Sequence, residues 1–151
     1  MTQLTEHFSL AEMTDSQTAA RKGINNVPPA NSQERKNLQR TAEVMELVRT
    51  LLGDKPILIS SGYRSPQVNA AVGGSKSSAH MSGLAVDFSC PGAGSPKHIC
   101  KTLEPHMKNL GIDQLIHEYD TWVHLGLRAA DMTPRHQALT IDNKGTRSGF
   151  A

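Results

Sequence analysis

The sequence predicts one α+β domain in which helices pack on a mainly antiparallel sheet. Helix-type and strand-type hydrophobic patterns both occur, and two of the strand patterns are joined by a tight turn rather than by a helix. The chain has 151 residues, which suits a single core. No internal repeat is evident, so we expect residues 1–151 to form one domain, with its core over about 8–128 and a C-terminal strand and tail over 129–151.

The bulk composition argues against several classes of protein. Hydrophobic residues make up 37% of the chain and charged residues 20%, as in a globular rather than a disordered protein. The net charge is +2, aromatic residues make up only 4%, and Lys and Arg form no clustered run. A nucleic-acid partner is therefore not expected, because both a stacking surface and a basic stripe are missing.

The sequence shows neither a targeting signal nor a cysteine motif. The sequence has no apolar stretch of about 18 residues, so no stable membrane insertion is expected. Its N-terminus lacks the basic start and apolar run of a signal peptide, which predicts synthesis in the cytoplasm without export by that route. The spacing of Cys90 and Cys100 matches no zinc knuckle or redox pair, and we expect buried thiols rather than a disulfide.

Helix signals dominate the first third of the chain. Ser9 with Glu12 forms a capping-box pattern that opens a short helix. After a loop rich in Asn and Pro, Asn31 with Glu34 gives a second cap pattern. The long helix behind it should end at Gly53 and bury the residues that recur at helical spacing, namely Leu38, Ala42, Met45, Val48 and Leu52.

The middle of the chain changes to strand patterns. The apolar run Ile57–Ile59 predicts a buried strand that ends at Ser60–Gly62. The segment "PQVNAAV" predicts a turn or two of helix, and "GGSKSS" a flexible loop. The segment "GLAVDFS" then has the apolar and β-branched content of a second strand.

The last third of the chain contains both helix and strand patterns. Ser95 and Pro96 open a helix that Pro105 should kink or shorten. The segments "DQLIHEY" and "TWVHLGLR" predict two strands joined by a tight turn near Asp120. The segment "ALTID" predicts a last short strand, and "NKGTRSGFA" a loose tail.

Three residues stand out as candidate ligands of one metal ion. His80 follows a loop of small residues, where the backbone can bring an imidazole inward. Asp87 lies in "LAVDF", where an ionised carboxylate is costly unless it is paired or bound to a metal. His124 lies in "WVHLG", again inside an apolar strand pattern. Two imidazoles and one carboxylate with an open fourth position are typical of a catalytic zinc site.

A longer run of sequence resembles a known family. "SSGYRSPQVNAAVGGSKSSAHMSGLAVDF" followed by "WVHLGL" is similar to the zinc-dependent D-alanyl-D-alanine peptidases of the hedgehog/DD-peptidase fold, most of all to the small members in phage endolysins and prophages. With the opening "FSLAEMTDSQTAARKGINNVPP", the likeness extends from about Phe8 to Arg128. The resemblance implies that fold, Zn²⁺ as cofactor, and His80, Asp87 and His124 as its ligands.

The resemblance also implies two substrate-binding residues. Arg64, in "SGYR", takes the position of a substrate clamp, and Ser78 takes the position of a serine that lines the substrate pocket. A guanidinium at the end of a strand can hold a peptide carboxylate or carbonyl bidentately. The alternative for Arg64 is an ordinary ion pair with a nearby acid, and by chemistry alone Ser78 would be a loop serine.

The catalytic base is the point where this sequence departs from the family pattern. Better-known relatives carry an acid three residues before the last histidine, where this chain has Thr121. Threonine cannot act as a general base, and the nearby acids are Glu118 and Asp120. We favour Glu118 over Asp120, which at the tip of a hairpin is more often a turn former. A third alternative is that neither acid acts.

The length of the hairpin loop decides where Glu118 points. With a three-residue loop over 119–121, Glu118 pairs with Trp122 and shares a face with His124, from where it could reach a water at the metal. With a two-residue turn, His117 instead lies opposite His124. The sequence does not distinguish these two registers.

The expected function is therefore hydrolysis of peptide bonds in peptidoglycan stem peptides or cross-links. The bond involves D-alanine in the resembled family, while cleavage between L-Ala and D-Glu by an enzyme of the same fold remains an alternative. We expect a monomeric phage or prophage endolysin that acts on the cell wall after release. The rival from another class is a non-catalytic, zinc-stabilised wall-binding module, because the hedgehog branch shows that such a site need not be catalytic.

Overall fold

A computed structural model describes residues 2–150 and contains one six-stranded sheet in the order β1-β2-β4-β3-β5-β6. The strands are β1 (Leu58–Ser61), β2 (Ala85–Ser89), β3 (Gln114–Glu118), β4 (Trp122–Gly126), β5 (Gln137–Asp142) and β6 (Gly145–Ser148). The helices are α1 (Leu10–Thr14), α2 (Gln17–Lys22), α3 (Gln33–Leu51), α4 (Pro66–Ala71), α5 (Pro96–Leu103) and α6 (Met107–Leu110), with short 3-10 helices at Ala79–Ser82 and Glu104–His106. Neighbouring strands are antiparallel except β3 and β5, which confirms the predicted fold class.

The first two helices are both opened by serine caps. The predicted capping box is present, since Ser9 Oγ accepts from the Glu12 N–H at 3.1 Å while the Glu12 carboxylate accepts from the Ser9 N–H at 2.9 Å. Helix α2 was not predicted, because its six residues carry no clear apolar periodicity. Its own cap is Ser16, whose Oγ accepts from the Ala19 N–H at 3.1 Å.

The long helix α3 begins one residue later than the sequence pattern predicts. The cap is Ser32 rather than Asn31, because Ser32 Oγ accepts from the Arg35 N–H at 3.1 Å. At the other end Gly53 follows with a φ of +84°, a left-handed conformation that glycine adopts without strain. The predicted apolar stripe of this helix is buried as expected.

A strand is present near Ile57–Ile59, but the prediction that this strand is buried was wrong. Strand β1 is an edge strand that pairs only with β2, and the Leu58 side chain is 56% exposed. Ile57, just before the strand, packs into the core with 8% exposure, and Ile59 is partly buried against it. A run of three apolar residues does not distinguish an edge strand from a central one, because both accept β-branched side chains.

The predicted effect of Pro105 is observed. Helix α5 ends at Leu103, a 3-10 turn carries Pro105, and α6 ends at Leu110, followed by Gly111 with a φ of +71°. Helix α5 packs against β3 and β4, and α3 packs against α5. None of the helices within residues 2–150 is long and apolar enough to cross a membrane.

The prediction of a loose C-terminal tail was also wrong. Strands β5 and β6 form a hairpin closed at Asp142 and Gly145, and Phe150 is 5% exposed within the core. The Thr140 hydroxyl donates to the Gly149 carbonyl at 2.6 Å and so holds the end of the chain against β5. Strand β6 is not predicted from the sequence because it is exposed on both faces and shows no apolar alternation.

Replacing Phe150 with alanine is expected to lower the free energy of unfolding by about 3 kcal/mol, the cost of deleting a buried aromatic ring. Urea denaturation followed by circular dichroism measures the change. The matched control is Met132→Ala, since Met132 is 49% exposed and should cost little. Equal stabilities of the two variants would contradict the burial of Phe150.

The two faces of the sheet have different roles. Val86, Phe88, Val123 and Leu125 point toward α3 and α5 and are fully buried in the core. Successive side chains of a strand alternate between faces, so Asp87 and His124 point to the opposite, solvent-facing side. This alternation places polar groups on one open face of a rigid sheet.

Both cysteines are buried and unpaired with each other, as the sequence predicts. Burial raises the pKa of the Cys100 thiol to about 12, and the nearby Glu104 carboxylate acts in the same direction. A thiol with this pKa carries almost no thiolate near neutral pH, so it is a poor nucleophile and a poor metal ligand. The cysteines therefore belong to the core rather than to a site.

Candidate metal centre and its cleft

His80, Asp87 and His124 lie together on the open face of the sheet. Asp87 on β2 is directly paired with His124 on β4, and the Asp87 Oδ1 to His124 Nδ1 distance is 2.8 Å. The other carboxylate oxygen of Asp87 lies 3.3 Å from His80 Nε2. One candidate ligand atom from each residue falls within 4.8 Å of the others. The three residues that the sequence singled out thus converge on one point.

His80 is fixed by its backbone surroundings. It is 2% exposed, and its Nδ1 lies 2.7 Å from the Gly62 carbonyl oxygen. A carbonyl only accepts, so Nδ1 donates a proton to it and Nε2 is the ring nitrogen that faces Asp87. The 3-10 helix around His80 is capped by Ser78, whose Oγ accepts from the His80 N–H at 3.2 Å. Such an anchored imidazole is typical of metal-binding histidines.

Gly62 is required at this position by close packing. A Cβ on Gly62 would overlap the carbonyl of Met13, which itself accepts from the Tyr63 N–H at 2.8 Å. The next residue along, Arg64, donates its backbone N–H to the His80 carbonyl at 3.1 Å. The segment after β1 therefore holds His80 on one side and α1 on the other.

The donor set fits a zinc ion. Tetrahedral zinc with bonds of about 2.0–2.1 Å needs ligand atoms roughly 3.3 Å apart, close to the spacings found here. Two imidazole nitrogens and a carboxylate leave a fourth position for water or substrate. In the part of the chain that the structure describes, this is the single cluster of at least three His, Cys, Asp or Glu side chains with such spacing.

Asp87 is ionised and ready to bind a cation. Burial by itself would raise the pKa of this carboxyl, but hydrogen bonds to His124 and His80 and their charges outweigh burial and hold its pKa well below the usual range. An ionised carboxylate inside a largely buried site is stable only with such partners. A bound metal ion would take the place of these two contacts.

The cluster opens into a cleft of about 820 Å³. Its walls include Arg64, Ser78 and Glu118 in addition to the three candidate ligands. Six of the seven site residues predicted from the sequence therefore border one cavity. The arrangement can hold a metal ion, a peptide and a carboxylate that accepts a proton.

Glu118 faces the cleft because of the hairpin register. It is paired with Trp122, and the loop comprises the three residues 119–121, as the first of the two predicted registers requires. Directly paired residues point to the same face, and His124 lies two positions beyond Trp122, which places it about 7–8 Å from Glu118 across the strands. Burial raises the pKa of the Glu118 carboxyl, while the neighbouring histidine His124 opposes the shift.

Asp120 lies outside the cleft. Its Oδ1 is 2.9 Å from His117 Nε2, and His117 is paired with Val123, whose side chain is in the core on the reverse face of the sheet. Its neighbour Thr121 uses its hydroxyl to donate to the Tyr119 carbonyl at 2.9 Å. The structure therefore brings Glu118, but neither Asp120 nor Thr121, to the metal site.

Arg64 borders the cleft with hydrogen-bonding capacity to spare. Its Nε is buried and has no acceptor among residues 2–150. Burial lowers the pKa of its guanidinium, and the charges of Asp87 and Glu118 raise it. A buried donor without a partner is costly. The guanidinium also borders the cleft, where its other donors can meet an incoming carbonyl or carboxylate.

The cleft also has lining residues that were not predicted as site residues, among them Gln114, Tyr119, Trp122 and Arg135. Trp122 could have been placed by strand periodicity, since it precedes His124 by two residues. Arg135 could not, because it lies in an irregular segment and is held by Asp113, 22 positions away in sequence.

A sheet that presents two histidines and one aspartate in an open cleft, with a glutamate nearby, is the kind of site that zinc metallopeptidases have. Residues 6–126 match the family described as Peptidase M15, and the chain belongs to this family. It is also 43% identical, over 61 residues, to the zinc D-Ala-D-Ala carboxypeptidase of Streptomyces albus G. That match covers 40% of this chain and 23% of the relative, so the chain spans less than a quarter of the relative's length. The predicted family and its zinc cofactor are confirmed.

Proposed function

We propose that the protein hydrolyses peptide bonds next to D-alanine in peptidoglycan stem peptides or cross-links. The observation that carries this proposal is the presence of Glu118 in the same cleft as His80, Asp87 and His124. The relative from Streptomyces albus G supports the choice of bond, since its name specifies D-Ala-D-Ala. The non-catalytic alternative is less favoured, because the acid missing at Thr121 is supplied by Glu118.

His80, Asp87 and His124 would hold the metal ion. When bound there, zinc would supply Lewis-acid chemistry toward water and the substrate carbonyl. His80 keeps its orientation through Gly62, and His124 and Asp87 keep theirs through the register of β4 and β2. The ligands are thus set in place before substrate binds, which lowers the cost of reaching the transition state.

Glu118 is the proposed general base. Its carboxylate takes a proton from the attacking water and returns it to the nitrogen of the leaving amine. Arg64 holds a carbonyl or carboxylate oxygen of the substrate with the guanidinium donors that border the cleft. Ser78 lines the pocket beside His80 and keeps the ligand-bearing turn in place.

The proposed biological role is that of a phage or prophage endolysin that degrades the cell wall as a monomer. The resemblance to small phage peptidases supports this role. The overall charge of +2 would help the protein approach the anionic wall.

Purified protein is expected to release new amine groups from Gram-negative sacculi in a zinc-dependent manner. Treatment with a chelator should stop the release, and added zinc should restore it, because the metal is needed for each turnover. Amine release is measured with a fluorogenic amine reagent. Binding to sacculi without amine release would contradict the proposal and indicate a wall-binding module.

The position of the cleaved bond is measured in the same digest. Mass spectrometry of the released muropeptides should find new ends at D-alanine. New ends between L-Ala and D-Glu would keep the peptidase activity but overturn the proposed bond.

A further inference from the structure

Arg135 lies in the same cleft as the metal ligands but comes from a different part of the chain. It is located in the segment between β4 and β5, beyond residues 6–126 that match the family. Its side chain lines the cleft together with Gln114, which begins β3. This flank of the cleft has no role in the proposed function.

The Arg135 guanidinium is held rigidly by Asp113. The Arg135 Nε lies 3.1 Å from Asp113 Oδ1, and Nη2 lies 2.7 Å from Oδ2. The Arg135 backbone N–H also donates to Asp113 Oδ1 at 2.7 Å. Asp113 itself is only 4% exposed. A bidentate pair of this kind fixes the orientation of the guanidinium plane.

The cluster of two arginines around Asp113 carries more positive than negative charge. Arg128 Nε lies 3.6 Å from the same Asp113 carboxylate, so two guanidiniums share one acid. Arg135 remains 43% exposed, and across residues 2–150 its Nη1 has no hydrogen-bond acceptor. If Arg135 only formed a structural ion pair, its charge would be neutralised by the partner carboxylate. Here one positive charge is left over, with free donors toward the cleft.

Arg64 and Arg135 lie on opposite flanks of the metal site. Arg64 follows β1 and Arg135 precedes β5, while the ligand strands β2 and β4 lie between them. Strands are spaced about 4.8 Å apart, so β1 and β5 are separated by roughly 19 Å. An extended peptide covers that distance with about five or six residues. A peptide lying across the metal site would therefore meet an arginine on each side.

We propose that Arg135 is a second substrate-binding residue, which binds a free carboxylate of the stem peptide on the side of the scissile bond away from Arg64. The inference rests on the proposed function, since it takes a peptidoglycan peptide as the substrate. Such peptides carry free carboxylates along the chain as well as at the terminus. The guanidinium, oriented by Asp113, matches a carboxylate with its remaining N–H donors.

The test uses three synthetic stem peptides that differ only in charge. One keeps all its carboxylates, and each of the other two has one carboxylate converted to an amide, on the N-terminal or the C-terminal side of the scissile bond. KM and kcat are measured for wild type and for Arg135→Gln. Wild type should show a KM about tenfold higher for the amide on the Arg135 side, because a charge-assisted hydrogen bond is lost. Arg135→Gln should lose this preference, keep the preference for the other carboxylate, and change kcat little.

Arg147→Gln is the matched control. Arg147 makes the same kind of bidentate pair, with Asp142 at 3.0 and 2.7 Å, and is 48% exposed, but it lies on β6 outside the cleft. Its variant should discriminate between the peptides as wild type does. The inference is overturned if wild type binds all three peptides alike, or if Arg135→Gln keeps the full preference of Arg147→Gln.

Two further measurements distinguish failure of this inference from misfolding of the variant and from failure of the proposed function. If circular dichroism shows that Arg135→Gln does not fold, Arg135→Lys replaces it. The lysine keeps the positive charge, so this variant should retain part of the preference for the carboxylate. A complete loss of the preference in a normally folded Arg135→Lys protein would contradict a charge-based role. If wild type cleaves none of the peptides, the proposed function fails. Calorimetric binding of the uncleaved peptides to wild type and Arg135→Gln then still tests Arg135.

Discussion

Replacing His80 with alanine is expected to abolish tight zinc binding and turnover together. His80 is one of three candidate ligands, and its Nε2 faces the carboxylate of Asp87. Loss of an outer partner of a metal ligand costs about 10- to 100-fold in affinity or activity, and loss of the ligand itself should exceed that range. Elemental analysis for zinc and amine release from sacculi measure the two effects on the same sample.

The control for this variant is His98→Ala, because His98 is an exposed histidine on α5, outside the metal cleft. It should retain one zinc per chain and full turnover. Circular dichroism must show that His80→Ala is folded, since His80 is buried and its loss leaves a small cavity. A folded His80→Ala protein with stoichiometric zinc and normal turnover would refute the metal assignment.

Replacing Glu118 with glutamine is expected to separate zinc binding from catalysis. Glutamine has nearly the same shape but cannot accept the proton of the attacking water. Turnover should fall by about 10²- to 10⁴-fold, the usual contribution of a general base, while the zinc content remains that of wild type. The comparison requires kcat measured at saturating substrate and the metal content of the same preparation.

Asp120→Asn is the matched control for Glu118→Gln. It is the same acid-to-amide change two residues away, but Asp120 contacts His117 on the reverse face of the sheet. Its turnover should stay close to that of wild type. If Glu118→Gln remained active and Asp120→Asn did not, the assignment of the base would have to be reversed.

The three candidate metal ligands could be selected from the sequence because each is conspicuous in its own setting. A histidine after a small-residue loop, and an acid and a histidine inside apolar strands, need no knowledge of distant contacts. The candidate general base was harder to predict, because both hairpin lengths agree with the sequence. The longer loop places Tyr119 and Asp120 at a φ of +51°, a conformation that aspartate tolerates better than most residues but that no pattern at this position demands.

The features that the sequence did not predict depend on contacts between distant segments. Strand β6 is stabilised by pairing with β5 and by the burial of Phe150, not by its own apolar pattern. The exposure of β1 follows from its place at the edge of the sheet, which local sequence does not encode. Arg135 acquires its position only when Asp113 is folded beside it.

The contact between Gly62 and Met13 has a consequence for engineering this protein. The Gly62 carbonyl orients His80, and its Cα lies against the backbone of Met13 at the end of the first helix. The N-terminal segment therefore supports the candidate metal centre, although it contributes none of the candidate ligands. A designer who wishes to shorten the protein or fuse it to a targeting module should keep this contact intact. The exposed turn between β5 and β6, around Lys144, offers a safer point of attachment.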